Sequence, residues 1–184
     1  PLAPLRAVRD AARAHGLACH LDGARLLNAV AATGEPAAAH AQGWDSAWID
    51  LSKGLGCPVG AVLCGSADFV RAAWQWKYRL GGAMRQSGVL AAAGLYALEH
   101  HAGQAAVDNA HALRIWQRLS ASELFRFDPP RPDSNILRFG LADGLDVRAF
   151  AQRCQAAGVR VRPIEGGFIR VTTHLDVPAE AVDV

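Results

Sequence analysis

The sequence predicts an α/β protein in two parts, a large α/β region over residues 1–120 and a small α+β domain over residues 121–184. Two observations carry this. Short apolar runs alternate with helical segments through the first part, the pattern of strands feeding a sheet flanked by helices. At Phe127-Asp128-Pro129-Pro130-Arg131-Pro132-Asp133, three prolines mark a connection, and a strand, helix, strand, strand order follows it.

Each element has a local reason. An amphipathic helix runs from Leu5 to His15, with Gly16 as its C-cap. Leu17 to Leu21 is a short apolar run suited to a buried strand, with Asp22 at its carboxyl end. Ala24 to Ala32 reads as helix ended by Thr33-Gly34, and Ala37 to Gln42 as another short helix. The run Ser46 to Leu51 is a second strand that delivers Ser52 and Lys53 to its own carboxyl end. After the glycine-rich turn Gly54-Leu55-Gly56-Cys57-Pro58 comes a third strand, Val59 to Cys64. Ser66 is placed to N-cap a helix to about Tyr78, and Gly81-Gly82 separates it from a long helix starting near Arg85. A further helix spans about Ala105 to Leu119. In the small domain, strands are expected at Asn135–Phe139, Val159–Arg162 and Phe168–Thr172, with a helix at Val147–Ala157 and a last one from Ala179.

Composition excludes several functions. The 184 residues are 51% hydrophobic and 20% charged, with a net charge of +2 spread along the chain. No apolar run reaches the roughly 18 residues of a membrane span, and no block of like charge suggests nucleic acid as a partner. The four cysteines lie in apolar stretches without CxxC spacing, as expected of reduced thiols in a cytoplasmic protein. A chain that opens at Pro1 directly into a helix is expected to be a piece of something longer.

Of nineteen Lys and Arg residues only Lys53 and Lys77 are lysines, so amine chemistry has two side-chain candidates. Lys53 follows a strand end among glycines that allow close backbone approach. A lysine in a partly enclosed site loses its proton more readily than in water and adds to carbonyls, including the aldehyde of pyridoxal 5'-phosphate (PLP). Such a site also requires a carboxylate against the pyridine nitrogen, and Asp22 lies one strand earlier at the same sheet edge. Asp22-Gly23 also suits a turn that caps the next helix. His20 is expected to face away from Asp22, in a supporting role, and His100-His101 to cap or solvate a helix end.

Four ordered blocks resemble the threonine aldolase and β-eliminating lyase family of fold-type I PLP enzymes. His20-Leu21-Asp22-Gly23-Ala24-Arg25 is similar to its H-x-D-G-A-R segment. Leu51-Ser52-Lys53-Gly54-Leu55-Gly56-Cys57-Pro58-Val59-Gly60 is similar to its lysine motif. Gly81-Gly82-Ala83-Met84-Arg85-Gln86 and Ile169-Arg170-Val171-Thr172-Thr173-His174-Leu175-Asp176 complete the set. The resemblance, to the low-specificity L-threonine aldolases in particular, implies an aspartate aminotransferase-type large domain, of which this chain holds the C-terminal part. It implies PLP as cofactor, Lys53 as the lysine that binds it and Asp22 as the partner of its pyridine nitrogen. Arg25 matches an arginine at the cofactor and the substrate carboxylate, Arg170 the arginine that grips that carboxylate, and Arg85 one that approaches a neighbouring subunit's cofactor region.

The implied activity is aldol cleavage of threonine and related β-hydroxy-α-amino acids to glycine and an aldehyde by a homo-oligomer, a dimer or tetramer. A different lyase or racemase of the same superfamily, or a non-catalytic remnant, are the alternatives. Tyr78 stands where many family members have lysine. The family's glycine-rich phosphate turn and ring-stacking histidine precede the first block, so this chain is expected to leave sheet edges open and an apolar face uncovered.

Overall fold

A computed structural model describes residues 1–183 of the chain. It divides into two compact units, Pro1–Gly103 and the residues from Gln104 onward.

The first unit opens with helix α1 (Leu2–Ala14) and continues through strand β1 (His20–Gly23), helices α2 (Leu26–Thr33) and α3 (Ala37–Ala41), and strands β2 (Ser46–Asp50) and β3 (Ala61–Gly65). It closes with helices α4 (Ala67–Arg79) and α5 (Gly88–His100). The sheet order is β1-β2-β3, with β1 and β2 parallel and β3 antiparallel to β2. Parallel pairing requires a crossover, which α2 and α3 supply. The connection from β2 to β3 has no helix and returns the chain antiparallel.

The first strand begins later than the apolar run suggests. Leu17 is 60% exposed, and its amide donates to Ala12 O at 3.0 Å, so it wraps the end of α1 instead of joining the sheet. Gly23 in β1 is required for strand spacing: a Cβ there would lie 2.0 Å from the Trp48 carbonyl oxygen. Ser66 caps α4 as expected, its hydroxyl accepting from Phe69 N at 3.2 Å. Arg85 lies in a turn ahead of α5, next to Gln86 at φ 56°. Leu51, Leu55, Cys57 and Ala97 are buried together, and Leu27, Ile49 and Ala93 pack against them.

The second unit holds α6 (Gln104–Leu119), β4 (Phe125–Phe127), β5 (Ile136–Leu141), α7 (Val147–Ala156), β6 (Arg162–Ile164) and β7 (Phe168–Thr172), then a 3-10 turn at Ala179–Val182. Its four-stranded sheet has the order β4-β5-β7-β6, all antiparallel. Leu137, Phe139 and Ile169 are buried on one face, while Arg138 and Arg170 stand exposed on the other. This is the period of two that separates the faces of a sheet.

Helix α6 falls with this unit and not, as the 1–120 boundary supposes, with the first. Its residues Ala105, Asp108 and Ala112 are buried, and Thr173 Oγ1 donates to the Asp108 carbonyl at 2.6 Å. That side of the helix is buried within this unit, Asp108 included, and the prolines at 129–132 come only after it.

Candidate active site

Lys53 is held on a stitched loop. Leu51 N donates to Gly60 O at 3.0 Å, Cys57 N to Leu51 O at 2.9 Å and Gly56 N to Lys53 O at 2.9 Å. Gly56 takes a positive φ of 69°, which a glycine adopts without strain. Leu55, 1% exposed, plugs the loop into the core, and His101 Nδ1 lies 2.9 Å from its carbonyl oxygen. His101 therefore reaches the lysine loop, a role that its place at a helix end conceals in the sequence.

The amine of Lys53 pairs with Asp50 Oδ2. Asp50 ends β2 and is 8% exposed; its other oxygen accepts from Ser52 N at 2.8 Å and Ser52 Oγ at 2.7 Å. Burial alone would push this carboxyl up. The hydrogen bonds from Lys53 and Ser52 outweigh burial and hold it below its ordinary value. Sequence reading misses Asp50, although a carboxylate closing the apolar run Ala47-Trp48-Ile49 just before a lysine is a usable signal.

Asp22 pairs in register with Trp48, and Lys53 Nζ lies 5.2 Å from the centre of the Trp48 ring. Register partners share a face, so carboxylate and amine belong to one side of the sheet. The Asp22 side chain is exposed and accepts from Ala24 N at 2.9 Å, the turn-capping role, which leaves its second oxygen for another partner. His20 does not face away from Asp22. The two are two residues apart, both exposed, and His20 Nδ1 lies 2.8 Å from Ser46 Oγ on the same face.

Arg25 is half-buried at the start of α2 and lines a narrow cleft with Asn28, Asp50 and Gly54. Arg85 is exposed in the turn before α5. Arg170 is exposed on β7 in the second unit. The first unit thus brings together Lys53, Asp22 and Arg25 around the carboxyl ends of β1 and β2. An amine, a carboxylate with a spare oxygen and a guanidinium form a donor set that fits PLP.

The family model described as beta-eliminating lyase matches residues 1–141. The chain belongs to the beta-eliminating lyase family. Among curated relatives it is 38% identical over 168 residues to the low specificity L-threonine aldolase of Escherichia coli K12, covering 91% of this chain and 49% of that protein. It is 36% identical over 177 residues to a probable low-specificity L-threonine aldolase of Arabidopsis thaliana, covering 95% of this chain and 50% of that one. The chain therefore spans about half the length of the curated relatives it matches.

Among solved structures, a putative L-allo-threonine aldolase from Listeria monocytogenes superimposes with a TM-score of 0.83 at 24% identity, over 100% of this chain and 54% of that one. Serine palmitoyltransferase from Sphingomonas wittichii does so with a TM-score of 0.76 at 21% identity, over 98% and 48%. The family member thus has the fold of these enzymes over about half their length.

Proposed function

We propose that this chain is the cofactor-lysine portion of a PLP-dependent lyase that cleaves threonine and related β-hydroxy-α-amino acids to glycine and an aldehyde. The observation that carries this reading is the family match together with Lys53, Asp22 and Arg25 around one sheet edge. When bound, PLP supplies an electron-accepting ring for the pair released as the Cα–Cβ bond breaks.

The chain's own residues do the rest. Lys53 is the attachment point, and its amine has to leave Asp50 to reach a carbonyl. Asp22 holds the ring nitrogen protonated. Arg170 is assigned to the substrate carboxylate and Arg25 to the cofactor and carboxylate region by the family resemblance, each as a planar two-pronged donor, and Arg85 to the cofactor region in the neighbouring subunit of a homo-oligomer. We place the protein in the cytoplasm, supported by four free cysteines and by the absence, among the described residues, of any helix long and apolar enough to cross a membrane.

The test is spectroscopic. Adding PLP should give a visible absorbance band that Lys77→Ala keeps and Lys53→Ala loses. A band of equal strength in Lys53→Ala rejects the assignment. Glycine and acetaldehyde released from threonine by the longer protein support the aldolase reading, and turnover of another amino acid without them rejects it.

A further inference from the structure

The outward face of the second unit's sheet carries an unusual alignment. In the strand register Arg138 of β5 stands opposite Arg170 of β7, and Arg170 stands opposite Arg162 of β6. Directly paired residues on antiparallel strands point to the same face with Cβ atoms about 5 Å apart. Three arginines therefore form one row across three adjacent strands, all exposed.

Like charges in such positions destabilise a sheet unless something neutralises them. Only one end of the row is neutralised. Arg138 lies 3.4 Å from Asp128 Oδ2, and its guanidinium sits 4.0 Å from the centre of the Phe168 ring. Arg170 and Arg162 form no ion pair among the described residues, although Glu165 lies close by in the β6–β7 turn. The inner face of the same strands is closed by Leu137, Phe139 and Ile169, so the outward arginines are not needed to fill a core.

We propose that Arg170 and Arg162 are a paired site for a small dicarboxylate, and that Arg162 selects substrates bearing a second carboxylate on the side chain. Each guanidinium offers a carboxylate two parallel hydrogen bonds, and side chains rooted at paired positions with Cβ atoms about 5 Å apart can bring two forks to the two ends of a short diacid. The substrate assignment rests on the reading that Arg170 grips the α-carboxylate of a β-hydroxy-α-amino acid. The neighbouring Arg162 then meets a carboxylate attached at Cβ. Cleavage of such a substrate breaks Cα–Cβ, forms the C=O of a 2-oxo acid as the hydroxyl loses its proton, and places a proton on Cα to give glycine, so atoms and charge balance.

The experiment needs neither cofactor nor turnover. Calorimetric or NMR titration of the 184-residue chain with succinate and with acetate is repeated for Arg162→Gln, Arg162→Lys and Arg6→Gln, with circular dichroism confirming that each variant is folded. Succinate should bind at least about tenfold more tightly than acetate, a step expected for one more charged hydrogen-bonded contact. Arg162→Gln should erase that preference, Arg162→Lys keep only part of it and Arg6→Gln, which removes the same charge from α1, leave it. Equal affinity for the two acids, or an equal loss in Arg6→Gln, overturns the proposal. So does a pentaglutamate peptide that binds more tightly than succinate and is indifferent to Arg162→Gln, since the face would then be a docking surface for acidic chains. A succinate preference without any PLP-dependent absorbance at Lys53 retains the dicarboxylate site and rejects the lyase reading, so the two fail separately.

Discussion

The two units handle their sheets in opposite ways. In the second, Leu137, Phe139 and Ile169 are at most 2% exposed, and Phe125 meets Phe139 and Phe150 edge-on at centroid distances of 5.2 and 6.0 Å. In the first, all five residues of β3 are exposed, and so are Trp74, Trp76, Tyr78 and Leu80 on and after α4. One sheet closes its apolar face within its own unit. The other presents an edge strand and aromatic surface that nothing among the described residues covers, the feature by which a chain associates. The proposed cofactor lysine nevertheless lies in the more open unit, where local stitching and not a large core fixes Lys53.

Four substitutions sharpen that contrast. The largest effect belongs to Ile169→Ala, which empties a fully buried site and should lower stability by about 3 kcal/mol. Val62→Thr on β3 should change it by less than about 0.5 kcal/mol. Urea unfolding of both variants measures the difference, and similar losses would remove the distinction between the sheets.

Asp50→Asn comes next. It should free the Lys53 amine, so that pyridoxal labelling followed by borohydride reduction and peptide mass spectrometry finds Lys53 modified several-fold faster relative to Lys77. Unchanged ratios would show that the ion pair does not restrain the amine. The same variant reports on acid stability. The Asp50 carboxyl is held below its ordinary value of 3.8, so its stabilisation is complete above that pH and is lost as pH falls through the lower folded value. With Lys53 partly exposed, the contribution is below about 1 kcal/mol, and it should vanish from acid titrations of Asp50→Asn.

The smallest effect is at His40. This ring is 5% exposed with Nε2 at 3.1 Å from Thr33 Oγ1, and burial lowers its proton affinity below the ordinary 6.5. The unfolded chain takes up the proton first, so this contribution is present above 6.5 and is lost as pH falls below it. His40→Gln should reduce the loss of unfolding free energy, measured by urea, between about pH 8 and pH 5 by a few tenths of a kcal/mol. An unaltered slope would assign it to other groups.

Much of this was legible in the residues. Ser66 caps its helix through its side chain as the sequence suggests, and the helix expected from Val147 begins there, with Asp146 as a side-chain cap that sequence reading does not single out. Strand β4 is invisible because Phe125-Arg126-Phe127 is only three residues long and makes sense only through pairing with β5. Leu17 misled because apolar character marks a buried strand and a helix-end wrap alike. Asp22 and Lys53 could be related by reasoning about strand ends, and Asp50 could have been added as the carboxylate closing β2, whereas the His101 contact could not, since it depends on how the loop between β2 and β3 folds back. The arginine row is likewise a product of register: Arg138, Arg162 and Arg170 are scattered in sequence and meet only across strands.

The stitching of the lysine loop has an energetic corollary. Fixing the backbone of a free loop costs roughly 1–2 kcal/mol per residue. Between Leu51 and Gly60 much of that ordering is already secured by the loop's own hydrogen bonds and by the buried Leu55. A ligand that bonds to Lys53 has little left to freeze beyond the side chain's methylenes, so its binding energy remains available for orientation.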